Sequence, residues 1–168
     1  MADGRDAARN AACKPPAMES PLQRPGRTRI LVAVSDETLP RMERVLAGHD
    51  LVMARSSTEA EAALAAQAFG LIVLGVNFDE SRMFELLAHV RAQERHHVVP
   101  VLCVLGSSRR LTPMAVEAID RAAKAMLANA FLWLERFPDD AAGNARIRRI
   151  ADYLILIDGD MHQGVQSP

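Results

Sequence analysis

From Arg29 onward, short apolar runs alternate with stretches whose apolar residues recur every three or four positions. Ile30–Val34 reads as a first strand, and Thr38 is placed to cap a helix with Leu39, Met42, Val45 and Leu46 on one face. Asp50–Ala54 reads as a weaker second strand. Thr58 and Glu61 form a capping-box pattern that opens an alanine-rich helix to about Ala68. Leu71–Leu74 is a fully apolar third strand, and Ser81 opens a helix with Met83, Leu86, Leu87 and Val90 turned inward. Val98–Leu105 is the fourth strand. Thr112 and Pro113 pair an N-cap with a proline at the first helical position, for a helix reaching about Ala128. Phe131–Leu134 is the fifth strand. Asp139 or Asp140 then caps a last helix with Ile147, Ile150, Leu154 and Ile157 in register, and Gly159 stands where that helix should stop. A competing partition runs the preceding helix through Phe131–Leu134 and makes Tyr153–Ile157 the last strand. The even apolar spacing from Ile147 to Ile157 favours the helix.

Strands alternating with helices imply a parallel sheet covered on both faces, which the continuously apolar strands also require. The expected fold is a flavodoxin-like, doubly wound α/β domain with five parallel strands in the order 2-1-3-4-5. Residues 1–28 differ: four prolines (Pro15, Pro16, Pro21, Pro25), basic residues outnumbering acids, and no apolar period. Such a segment buries too little apolar surface to offset its ordering entropy, so it reads as a disordered tail. Residues 29–158 then form the domain, and 159–168 a short C-terminal tail.

Composition narrows the function. The chain has 168 residues, 49% hydrophobic but only 4% aromatic, which argues against an aromatic nucleic-acid platform. A formal net charge of −1 supplies no field toward DNA or membrane. Cys13 and Cys103 make no disulfide scaffold and fit a reducing compartment. No apolar run approaches membrane-span length, and the N-terminus lacks a secretory core. Arg and Ala there are compatible with a transit peptide, but Asp3, Asp6 and Glu19 argue against one. A cytoplasmic protein is expected.

In sheets of this kind, ligands gather at the carboxyl ends of the strands. The chain carries ILVAVSDE at 30–37, FGLIVLGVN at 69–77 with MFELLAHVR following, VPVLCVLG at 99–106, and FLWLERFPDD at 131–140 leading into ARIRRIADYL. On these segments it resembles the receiver domain of two-component response regulators. The resemblance implies the flavodoxin-like fold and a role in signal transduction. A working receiver phosphorylates an aspartate after strand three, using acids after strand one for Mg²⁺, a hydroxyl after strand four and a lysine after strand five. In this chain the matching positions are Gly75 for the nucleophile, Leu105 for the hydroxyl and Glu135 for the lysine, with Arg136 replacing the proline that follows. The acid pair becomes Ser35-Asp36. The expectation is a degenerate receiver that cannot be phosphorylated, with no catalytic residues. Its only metal ligand is Asp36, a weak site for Mg²⁺, and no other cofactor is expected.

The remaining candidates have plainer readings. Asp36 and Glu37 suit the start of a helix, and Asp79 suits a solvated loop. His96 and His97 are adjacent and so share no helix face for a zinc site. Cys103 reads as a buried, inert thiol. Ser107, Ser108, Arg109 and Arg110 form a basic loop, read as solvated because no glycine-rich phosphate cradle accompanies it.

By resemblance, the fourth helix, fifth strand and fifth helix form a partner face carrying Trp133, Glu135, Arg146 and Arg149. Aromatic and arginine residues dominate interface energetics. The expected function is a non-enzymatic adaptor that binds a protein partner of a signalling pathway or a second copy of itself, with no role in nucleic-acid or membrane binding. The competing function is a small α/β ligand-binding domain or enzyme working at the carboxyl edge of the sheet.

Overall fold

The computed structural model describes residues 27–163, with side chains through Ile157. Most of the expected N-terminal tail, Cys13 and residues 164–168 lie outside the described residues. Five parallel strands, β1 (Arg29–Ala33), β2 (Asp50–Met53), β3 (Leu71–Gly75), β4 (Val101–Leu105) and β5 (Ala130–Trp133), stand in the order β2-β1-β3-β4-β5. This is the fold and strand order expected from the alternation.

The helices are α1 (Leu39–Val45), α2 (Ser57–Ala66), α3 (Met83–Ala92), α4 (Pro113–Ala125) and α5 (Ala141–Gln163). Because strand side chains alternate, each central strand feeds two cores. Leu31, Ile72, Leu74, Cys103 and Leu105 pack against α2, α3 and α4, while Ile30, Val32, Val73 and Val104 pack against α1 and α5. The buried stripe of α5 is Ile147, Ala151, Leu154 and Ile155 rather than the expected series ending at Ile157, which is 39% exposed.

Several boundaries differ from expectation for local reasons. β4 begins at Val101 because Pro100 has no N–H for the ladder. The cap of α2 is Ser56, whose hydroxyl accepts from Glu59 N at 3.2 Å, while the Glu59 carboxylate accepts from Arg55 N at 2.8 Å; the box lies two residues before Thr58 and Glu61. α4 stops at Ala125 because Leu127 turns left-handed (φ 66°) and Ala128 N reaches back to Ala123 O at 2.9 Å. Asp140 is the cap of α5, accepting from Gly143 N at 2.7 Å. α5 then continues through Gly159 to Gln163, so the first residues of the expected C-terminal tail are helical.

Two arginines hold the connections together. Arg41 of α1 donates to Asn144 Oδ1 (3.0 Å) and to the carbonyls of Leu134 (3.1 Å), Phe137 (2.8 Å) and Pro138 (2.8 Å). Arg91 at the end of α3 donates to the carbonyls of His96, His97, Val99 and Leu127 and to Asn129 Oδ1, at 2.6–3.3 Å. Burial lowers the pKa of the Arg91 guanidinium.

His96, in the turn after α3, is completely buried beside Phe69, with Nδ1 2.9 Å from Gln93 Oε1. Burial pushes its pKa below that of an ordinary imidazole, and the positive charge of Arg95 adds to the shift. The unfolded chain therefore binds this proton more tightly than the folded protein does. Stability present above about pH 6.5 should be lost as pH falls through the lowered folded-state pKa. Asp79, Glu135 and Asp139 also have lowered pKa values, but their carboxylates titrate in a more acidic window. Thermal unfolding from about pH 7 to about pH 5 should show a falling midpoint whose slope is reduced by His96→Gln; equal slopes would contradict this account.

Candidate functional site at the carboxyl edge of the sheet

β1 and β3 lie side by side at the centre of the sheet, so the segments leaving their carboxyl ends meet. There, Gly75 closes β3 against Val34. A Cβ at Gly75 would stand 3.0 Å from Val34 Cα and 3.2 Å from its Cβ, tighter than ordinary van der Waals contact. Leu105 is fully buried in the core beneath α3 and α4, and Val34 (4% exposed) and Val76 (7% exposed) are also buried. Phe78, in the loop that follows, is buried as well. The place where a carboxylate, a hydroxyl and a metal would assemble is therefore continuous with the apolar core. The start of α1 closes over its other side: Thr38 is buried, its hydroxyl lies 3.1 Å from Ser35 Oγ, and a Cβ at Gly106 would collide with Thr38 Oγ1.

Asp36 and Glu37 lie in the exposed turn before α1. No group of three His, Cys, Asp or Glu among the described residues is arranged to hold a metal ion. With Ser35 in place of one acid and Gly75 in place of the nucleophile's carboxylate, the residues present do not fit the Mg²⁺ centre implied by the resemblance.

The acids of this edge have other partners. Asp79 is not merely a solvated loop residue: it accepts from Ser57 N at 2.8 Å, at the start of α2. Hydrogen bonds from Ser57 lower its pKa, with a smaller contribution from Arg82. That anchor holds a strained turn, since Asp79, Glu80 and Ser81 all take positive φ (44°, 57° and 69°). Ser81 in this conformation cannot be an N-cap, so α3 opens at Met83.

Glu135 follows β5 in a short 3₁₀ turn (Leu134–Arg136) and joins two parts of the molecule. Its Oε2 accepts from Ser108 Oγ, on the β4–α4 connection, and from Trp133 Nε1 at 2.9 Å. The Ser108 and Trp133 hydrogen bonds, with Arg109 nearby, hold its pKa below that of an ordinary carboxylate. Sequence spacing shows the sign reversal at this position but not the bridge, which spans 27 residues.

Beside Trp133 a groove of about 360 Å³ runs between α4 and α5 along β5. Of the expected partner residues, Trp133 and Arg146 line it, while Glu135, bonded to Trp133, and Arg149, exposed on α5, do not. Arg136 and Phe137 were not anticipated: the Arg136 guanidinium lies 4.4 Å from the Trp133 ring centroid, and Arg146 lies 5.2 Å from that of Phe137. Cys103 is buried among apolar neighbours, and burial pushes its thiol up to about 12. Among the described residues, no helix is long and apolar enough to cross a membrane.

No family model and no curated protein matches the chain. Solved structures do. The chain is similar to the chemotaxis response regulator CheY4 of Vibrio cholerae (TM-score 0.55, 22% identity, 72% of this chain and 95% of that one). It is also similar to NtrX of Brucella abortus in complex with ATP (TM-score 0.62, 23% identity), covering 82% of this chain but only 29% of NtrX. A third match is the receiver domain of the sensor histidine kinase PA1611 from Pseudomonas aeruginosa, which holds a magnesium ion in its active-site cleft (TM-score 0.57, 18% identity, 77% of this chain and 98% of that one).

Proposed function

Since this chain has the receiver-domain fold, we propose that it acts in signal transduction by binding a protein partner, without aspartyl phosphorylation. The observation that carries this reading is the contact at Gly75, where a nucleophile's Cβ would press on the backbone and side chain of Val34 at 3.0–3.2 Å. Leu105 in the core supports it, because it supplies no hydroxyl to follow a phosphoryl group. So does Glu135, whose carboxylate would repel a dianion where a cation is needed.

The partner binds the groove between α4 and α5 through Trp133, Arg136 and Arg146, with Glu135 bonded to Trp133 and Arg149 exposed three residues further along α5. Half-buried aromatics flanked by arginines, with Glu117 and Asp120 on the opposite wall, suit a peptide surface carrying both apolar and charged groups. Acetyl phosphate or beryllofluoride with Mg²⁺ should leave the intact mass and the amide NMR spectrum unchanged. Partner capture from the native cell should be lost in a Trp133→Ala, Arg149→Ala variant. Stoichiometric acid-labile phosphorylation would overturn the reading.

A further inference from the structure

The edge of the sheet is closed at Gly75 but open beside it. A cleft of about 540 Å³ lies over the β3–α3 and β4–α4 connections, and Glu37, Asn77, Ser107, Arg109 and Arg110 are among its lining residues. That volume lies within the range of small-molecule sites. Neither Arg109 nor Arg110 forms an ion pair among the described residues, whereas Arg29, Arg41, Arg44, Arg82 and Arg148 do. Two exposed guanidiniums on one wall present forked donors matched to phosphoryl oxygens. Asn77 and Ser107 add neutral polar groups: Asn77 Nδ2 makes only a long 3.4 Å bond to Ser107 O, and Ser107 Oγ lies 3.5 Å from Arg109 N. Glu37 puts an acceptor in the same cleft, which suits hydroxyl groups and disfavours a ligand charged along its whole length. No aromatic side chain lines the cleft, so nothing there stacks a nucleobase.

We propose that this cleft binds a compact, hydroxylated phosphate monoester non-covalently, and that the Ser108–Glu135–Trp133 bridge transmits its occupancy to the groove between α4 and α5. This inference rests on the phosphorylation-independent reading above and supplies it with an input. Ser108 lies between two cleft residues, Ser107 and Arg109, and its hydroxyl donates to the carboxylate that also holds the Trp133 indole. A phosphoryl group drawing Arg109 into the cleft pulls on the neighbouring Ser108, the residue to which Glu135 is bonded. Trp133 is the only tryptophan, so its emission reports the far end of the bridge without a label.

The test is titration of the full chain at constant ionic strength with ribose 5-phosphate, and separately with ribose, inorganic phosphate and sulfate, read by calorimetry and by Trp133 emission. One-site binding of ribose 5-phosphate, at least about tenfold tighter than sulfate, is expected with a shift in emission. Arg109→Ala combined with Arg110→Ala should weaken it at least about tenfold. Glu135→Ala should keep the affinity within about threefold and abolish the emission change. No saturable binding, sulfate binding as tightly as the ester, or arginine variants binding normally would each overturn the site. Binding with unchanged emission in the wild-type protein would overturn the coupling. None of these results touches the phosphorylation-independent reading, which acetyl phosphate decides separately.

Discussion

Gly75→Asp should destabilise the protein by about 4 kcal/mol and still leave it unable to accept a phosphoryl group. The figure has two sources. Any Cβ at this position presses on Val34 at 3.0 Å, so Gly75→Ala alone should cost about 1–2 kcal/mol in overpacking. The rest comes from a carboxylate placed against Val34, which is buried and apolar. That environment raises the pKa of the new carboxyl. The penalty relative to Gly75→Ala should therefore shrink as pH falls and the group is protonated, a sign opposite to that of His96. Urea unfolding of both variants at about pH 8 and about pH 5 reads the difference. A Gly75→Asp protein as stable as wild type, or one phosphorylated by acetyl phosphate, would show that this edge can reopen.

Arg91→Ala should cost about 3 kcal/mol, lowering the urea midpoint by roughly 1.5–2 M. Removing the guanidinium strips a partner from four carbonyls and the Asn129 amide, and those of His96 and Val99 belong to buried residues. Buried polar groups left without partners carry the full cost of desolvation. Arg91→Lys should recover less than half of the loss, because one ammonium cannot reach acceptors spread across two connections as a planar fork does. A near-neutral Arg91→Ala would show that water replaces the guanidinium without penalty.

The sheet was legible because β1, β3 and β4 are buried on both faces, which leaves uninterrupted apolar runs whose order and spacing admit few topologies. Helix ends were less so. The stretch from Ser56 to Glu61 holds two overlapping Ser/Thr-x-x-Glu patterns, and the choice between them involves Asp79, which reaches Ser57 N from 22 residues away. Leu127 ends α4 in a left-handed conformation that sequence reasoning assigns to glycine. The sheet-edge positions Gly75, Leu105 and Glu135 could be located from strand ends alone. The contact of Gly75 with Val34, and the bonding of Glu135 to Ser108 and Trp133, depend on strand neighbours and could not.

Arg41 gives the domain a property beyond the site. Its one side chain fastens the first helix to the backbone that joins the last strand to the last helix, across more than ninety residues of sequence. The two termini of the domain are thereby tied into a single cooperative unit. Peeling away the last strand and helix, as an exchange of that segment between molecules would require, leaves a charged group three carbonyls short. Such an exchange is opposed from the opposite end of the chain.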